Sequence, residues 1–419
     1  MKKVSKILCL TLGSVMAFGT VGLACACGDD KGGSGDGVTI SMWVPEADRA
    51  FLNQVIDAYK KTEKGKNVEI LVGIQGENDS ATKVLNDVEN APNLFSFASD
   101  QLNRLVVGDA LAQIGGERLT RITEANTANS LDACTVTVNG QNQTYAFPYT
   151  DNTFFLYYDK SKFTETDVQT LDGILAKCSK DEQFGYPIDD SWYSAAFFFG
   201  KGLGYEVTYN DKLAEVTVTT DFASETGVKV AEAMKGYVAN PGFKADSNDS
   251  KLVAGITGGN IVAGVSGIWN KNAIEEALGE NFGAVKLPTY TLEGQQVQLT
   301  AFAGYKCLGV SKHGGNSDPA VRAVSLDFAE FYTNKENQIK HFEARGFLPT
   351  NKEAQNDDKV KNDVCAKAIS DQLQYSKTQK GVPSAFWAPM ISFGQGMITQ
   401  GDKFNCKTEL EAAVKNFVK

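Results

Sequence analysis

Few side chains in this chain are spaced to make or break bonds. The 419 residues hold two histidines, His313 and His341, which leaves little for imidazole catalysis or histidine metal ligation. Neither a Gly-x-Ser-x-Gly elbow nor a His-Glu-x-x-His pair occurs. Asp246-Ser247-Asn248-Asp249-Ser250 opens like a calcium loop, but its sixth position is Lys251 rather than Gly and its twelfth is Thr257 rather than Glu. Gly200-Lys201-Gly202-Leu203-Gly204 lacks the spacing of a phosphate or dinucleotide loop. No opposed carboxylate pair of the kind glycoside hydrolysis needs stands out. No metal, no cofactor and no catalytic residue is therefore assigned. What recurs instead is polar side chains at the ends of apolar runs. Glu46, Asp48 and Arg49 follow Val38–Val44, and Asp100 follows Asn93–Ala98. Trp192 and Tyr193 follow the helix cap Asp189-Asp190-Ser191, and Asn152 sits in a polar cluster inside the aromatic run Tyr145–Tyr158. Carboxylates and amides offer hydrogen bonds, and aromatic planes cover apolar faces, so these residues suit reversible binding.

The elements that would hold them follow from periodicity. Val38–Val44 alternates with period two and reads as a strand; Phe51, Leu52, Val55, Ile56 and Tyr59 share one helical face; Val68–Val72 is a second strand. This βαβ opening predicts a parallel sheet whose ligands sit beyond the C-terminal strand ends, which puts Glu46, Asp48 and Arg49 at a cleft edge. Asp100 is read either as a cap for the helix starting at Leu102 or as a ligand group. In the run Tyr145–Tyr158 one strand is predicted to end at Pro148 and another to begin at Phe154. Between them the chain is expected to cross from one lobe to a second, with Pro148 to Asp151 as hinge. Leu299–Val310 reads as a long apolar strand and a second crossing, and Arg345–Asn351 as a third. Thr220-Asp221 is expected to cap a helix from Phe222 to Val238.

The N-terminus carries an address. Lys2, Lys3 and Lys6 precede an apolar stretch, Ile7–Leu23, and then Ala24-Cys25-Ala26-Cys27-Gly28-Asp29-Asp30. This is the layout of a secretory leader, and a cysteine at its end resembles a bacterial lipoprotein signal. Cys27 is the expected lipidation site, with Cys25 as the alternative. Residues 27–37, rich in glycine, would tether the body to the outer face of the cell membrane. The roughly 380 remaining residues exceed a single core and imply two lobes. A net charge of −10 argues against nucleic acid as a partner. Beyond the leader, Cys134, Cys178, Cys307, Cys365 and Cys406 are odd in number and widely spaced, unlike a disulfide framework, and read as buried apolar thiols.

Four segments in order carry a resemblance: Val262–Trp269, Phe282–Pro288, Arg345–Asn351 and Ser384-Ala385-Phe386-Trp387. Together they are similar to the sugar-binding proteins of ABC importers, and most of all to maltose- and maltodextrin-binding proteins. The resemblance implies an α/β, two-lobed periplasmic-binding-protein fold with three hinge crossings and a ligand cleft between the lobes. It implies one lobe from 38–148 and 300–348 and another from 149–299 and 349–419. It implies a monomeric, non-enzymatic receptor that takes an oligosaccharide and docks on permease subunits. By position it suggests Trp269 and Trp387 as stacking aromatics, with Trp192 or Tyr193 as a third. Phe97 falls where such proteins often carry Trp, and Asp100 matches their sugar-binding Asp. Gln101 stands where Arg is expected, and Asn152 where Glu is expected. A surface hydrolase and a receptor for a non-sugar solute are the alternative readings.

Overall fold

The computed structural model describes residues 37–419 apart from Asn139 and Asp211. The leader, the tether up to residue 36, and Cys25 and Cys27 lie outside the described residues. Seventeen strands are assigned here: β1 (Val38–Val44), β2 (Val68–Ile74), β3 (Leu94–Ala98), β4 (Thr135–Val138), β5 (Gln141–Thr144), β6 (Ala146–Asn152), β7 (Phe154–Asp159), β8 (Gln183–Gly185), β9 (Tyr205–Tyr209), β10 (Glu215–Thr220), β11 (Phe243–Lys244), β12 (Ile261–Gly267), β13 (Phe282–Val285), β14 (Thr289–Leu292), β15 (Gln295–Gln298), β16 (Ala301–Val310) and β17 (Ser376–Thr378). They form two principal sheets. The first runs β2-β1-β3-β16-β17, with β6 on β16; the second runs β11-β8-β12-β7-β13.

The βαβ opening is as expected. β1 pairs parallel with β2 from Val38↔Val68 to Val44↔Ile74, and the helix Arg49–Tyr59 crosses between them. That helix buries Phe51, Leu52, Val55, Ile56 and Tyr59, the face its spacing marks out. They join Ile40, Met42, Val44, Phe328 and Tyr332 in the core of the first sheet. β7 is buried on both faces, so its residues read as one apolar run. Phe154, Leu156 and Tyr158 face the helix Ser191–Gly200, while Phe155 and Tyr157 pack with Leu252, Ile268 and Phe347.

The crossing in the aromatic run differs from expectation. β6 does not stop at Pro148 but continues to Asn152. Pro148 lacks an N–H, which a strand interior seldom tolerates. Here the pairing of β6 with β16 shifts register at that point, with Cys307↔Pro148 and then Lys306↔Thr150, so the ladder bulges where the donor is missing. The passage between sheets is Thr153, whose hydroxyl donates to the Phe302 carbonyl at 2.8 Å. β16 holds β3 and β6 along its second half and β17 along its first three residues. The segment after the helix Lys335–Arg345 runs beside β6, with Asp151 N–H donating to the Leu348 carbonyl at 2.9 Å. Gly346 closes that helix at φ 76°, a left-handed conformation that glycine adopts without strain. The helix expected from Phe222 begins at Glu225, because Ser224 is the cap; Asp221 instead accepts from the Gly204 N–H.

Candidate functional site

Five segments bring polar and aromatic groups together near the start of β16. β3 ends at Ala98, and a tight turn, Ser99–Gln101, follows. Ser99 accepts from the Tyr305 N–H at 3.1 Å, which fastens this turn to β16. Asp100 and Gln101 therefore project from a fixed strand end. The Gln101 amide donates to Asp100 Oδ2 at 2.6 Å and its carbonyl accepts from Arg104 at 2.7 Å. Both ends of Gln101 are used, so it orients Asp100 and relays the charge of Arg104. The other oxygen, Asp100 Oδ1, is enclosed and accepts no well-formed hydrogen bond, although the Gln379 side chain lies near the carboxylate. Burial pushes the Asp100 carboxyl up to about 6, against the pull of Gln101 and Arg104.

Trp192 opens the helix Ser191–Gly200, where the Asp190 carboxylate accepts its backbone N–H at 2.8 Å. Its indole N–H donates to Gln379 Oε1 at 3.1 Å. Gln379 extends β17, its N–H bound to the Ala303 carbonyl at 2.9 Å, and it also approaches Asp100. Its side chain lies over Gly304, where an added Cβ would stand 2.4 Å from Gln379 Oε1. Gly304 is also the β-partner of Asn152, which is half-buried at the same place. Trp269 follows β12, with its ring centroid 5.9 Å from that of Trp192. A Cβ at Gly267 would fall 2.0 Å from the Trp269 ring, so a glycine is needed for that approach. The Trp269 indole N–H donates to Asp249 Oδ2 at 2.8 Å, and Asp249 Oδ1 accepts from Ser266 at 2.7 Å. Both indole N–H groups are thus spoken for inside the protein. What the two tryptophans retain for a ligand is ring face.

The structure brings together Asp100, Gln101, Asn152, Trp192 and Trp269. Trp387 is half-buried and packs on Phe302, with ring centroids 5.6 Å apart. Four other residues with sequence-based site expectations have structural places instead. Phe97 is fully buried against Phe95 and Gly309; β3 is covered on both faces, so the ring cannot reach a cleft. Tyr193 lies in the core against Phe154, one position round the helix from Trp192. Glu46 is exposed and its carboxylate is gripped by Arg49, at 2.9 to 3.2 Å. Asp48 is 1 % exposed and accepts from Arg345 Nε at 2.8 Å, with His341 Nε2 at 3.5 Å. Burial raises its proton affinity, but His341, Lys306 and Arg345 outweigh that and hold the carboxyl well below the usual carboxylate range.

Gln379 and Asp249 carry no sequence signal for these roles. Gln379 belongs to a short polar strand, and Asp249 sits in the segment with calcium-loop spacing. That segment is committed elsewhere: Asp246 is held by Lys244 and Lys251, and Asp249 by Trp269 and Ser266.

Residues 54–368 match the model of a family described as bacterial extracellular solute-binding protein. This chain belongs to that family. A solved structure with acarbose is 30% identical, with a TM-score of 0.80, covering 91% of this chain and 98% of the other. The maltodextrin binding protein MalE1 from L. casei BL23, without ligand, is 25% identical with a TM-score of 0.76, covering 91% and 99%. The Thermus thermophilus maltotriose binding protein bound with maltotriose shares the fold at a TM-score of 0.75 and 17% identity, covering 90% and 98%. No curated protein sequence matches. The membership agrees with the two-sheet, two-lobed α/β architecture and with an extracellular location.

Proposed function

We propose that this protein is the membrane-anchored solute-binding component of a carbohydrate ABC importer, and that its ligand is a malto-oligosaccharide. The observation that carries the reading is the Trp192–Trp269 pair beside the Asp100 carboxylate. A pyranose has an apolar C–H face, which lies on an aromatic plane, and a hydroxyl edge, which needs acceptors. Both indole edges are anchored, so the rings offer faces, and Asp100 Oδ1 offers an acceptor. The similar structure with acarbose and the similar maltodextrin binding protein support the same class.

The lobes are 38–148 with 300–348, and 149–299 with 349–419. Three crossings join them, and closure about these buries the sugar before the protein docks on its permease. Cys27, or Cys25, holds the monomeric protein to the outer membrane face. Affinity on the order of 1 µM corresponds to about −8 kcal/mol, which a few stacked rings and charge-assisted hydrogen bonds can supply.

Thermal shift against maltose, maltotriose, acarbose, amino acids and peptides tests the ligand class. Stabilisation by the glucosides is expected, with no shortened products. Stabilisation by peptides alone overturns the reading, and protein-dependent release of shorter glucans turns it toward a hydrolase. Trp269→Ala is expected to weaken glucoside binding by about tenfold or more while the fold survives, because a ring face is lost.

A further inference from the structure

Cys134 and Cys307 are 173 positions apart in sequence, yet their Sγ atoms lie 3.3 Å from one another. Both are fully buried. Cys134 ends the helix Ala128–Ala133, and its carbonyl accepts from the Tyr145 N–H at 2.9 Å. Cys307 lies in the middle of β16, opposite Phe97 on one side and Pro148 on the other. Ala133, Val136, Ala146, Phe97 and Tyr305 enclose the pair. Neither sulfur has a metal-ligating neighbour set around it: no cluster of three or more His, Cys, Asp or Glu occurs among the described residues. The other cysteines of the body, Cys178, Cys365 and Cys406, have no cysteine partner among the described residues.

We propose that Cys134 and Cys307 form a disulfide in the mature extracellular protein. The two Sγ atoms are 3.3 Å apart on backbones held by strand and cap hydrogen bonds, and a bond length of about 2.0 Å asks for about 1.3 Å of further approach. The extracellular location of the family supplies an oxidising setting in which such bonds form and persist. This inference rests on that location and not on the identity of the ligand. The reaction is thiol–disulfide exchange with a small-molecule disulfide such as oxidised glutathione. The Cys134–Cys307 S–S bond forms, the S–S bond of the small disulfide breaks, and the latter accepts two electrons and two protons and departs as two thiols. Burial also raises the Cys134 thiol well above its usual range, so exchange belongs to folding, before the core closes, and the finished bond is shielded from reductants. The bond staples the foot of the β4–β5 hairpin to β16, the strand that carries both β3 and β6.

The test is a peptide map of the mature chain refolded from denaturant in oxidised and reduced glutathione, with free thiols alkylated and no later reduction. The trypsin peptides that follow Arg121 and Lys306 each hold one of these cysteines. The expected result is one linked species, about 2 Da lighter than the two thiol peptides together. Cys178, Cys365 and Cys406 are expected to be alkylated in the same sample. Recovery of both Cys134 and Cys307 in alkylated form overturns the proposal. The wild-type map needs no variant to fold. If Cys134→Ser folds, Cys307 becomes alkylatable and the melting temperature falls by about 5 °C, because a long loop is no longer closed in the unfolded chain. A Cys307 still linked in Cys134→Ser, to any other cysteine, also overturns it.

Discussion

On the proposed function, ligand recognition turns on Asp100, because its environment leaves one oxygen enclosed and unsatisfied while Gln101 and Arg104 steady the other. A buried acceptor without a donor costs free energy, which a ligand hydroxyl can recover. The ionised form is the better acceptor. With its carboxyl pushed up to about 6, Asp100 is ionised above that pH and takes up a proton below it. Glucoside affinity is therefore expected to be constant above pH 7 and to fall by about tenfold at pH 5. Calorimetric titration with maltotriose across pH 5 to 8 measures this, and Asp100→Asn should be weaker throughout and flat with pH. Affinity that rises on acidification would count against a carboxylate acceptor. The arrangement around Asp100 also shows how a departure from the family pattern is accommodated. Gln101 stands where the resemblance leads one to expect Arg, yet Arg104, one turn on, reaches the same carboxylate through the Gln101 amide.

At the scale of elements, the parts legible in the sequence are those where one side of an element meets core and the other meets water. The helix Arg49–Tyr59 and strand β1 show this, and so does the Asp190 cap that fixes Trp192. Where both faces are covered, alternation loses its meaning. β3 is buried from Leu94 to Phe97, its one polar residue Ser96 included, so pattern could not tell a core ring from a cleft ring at Phe97, and the ring is core. β6 passes through Pro148 because the bulge on β16 removes the need for a donor, a tertiary fact with no local trace. β17 exists only because the edge of β16 offers it backbone partners, and Gln379 reaches the site by that route. Asp48 belongs with these cases. The βαβ reading puts it at a cleft edge, but its carboxylate ties the turn behind β1 to the helix Lys335–Arg345. Removing the guanidinium leaves a buried carboxylate with only His341 and Lys306 near. Arg345→Ala should therefore cost about 2–4 kcal/mol of stability, read by urea denaturation at pH 7. Because the Asp48 carboxyl is held below its unfolded range, the Arg345 contribution is present above about pH 4 and fades as the carboxylate is protonated at lower pH. An unchanged denaturation midpoint would show that the pair is not stabilising.

At the scale of the whole molecule, the chain passes from the first sheet to the second between β6 and β7, and one ionisable group lies there with no counter-charge. Asp151 is 5 % exposed, on the face of β6 opposite Asn152, and its strand neighbours tie it to Tyr305 on β16 and to Leu348 after the helix Lys335–Arg345. It borders a cavity of about 500 Å³ that Thr127, Gln355, Lys367, Ser370 and Asp371 also line. Lys367 is exposed and does not lower the carboxyl, nor does Lys361 at the same rim; burial alone acts on it and pushes it up to about 8. The folded protein therefore holds a proton that the unfolded chain releases near pH 4. This group favours folding fully below about pH 4, and that contribution is lost progressively as pH rises toward 8, by up to about 5 kcal/mol in all. Asp151→Asn keeps the shape and removes the titration. It should match wild type near pH 4 and exceed it by up to about 5 kcal/mol at pH 8, measured as urea denaturation midpoints at both values. The substitution leaves Asn152 and the Asp100 face untouched, so glucoside affinity at pH 7 should change little. A variant less stable than wild type at pH 8 would mean that the carboxylate is ionised and paired there, and that the seam between the lobes is held by a charge rather than by a buried proton.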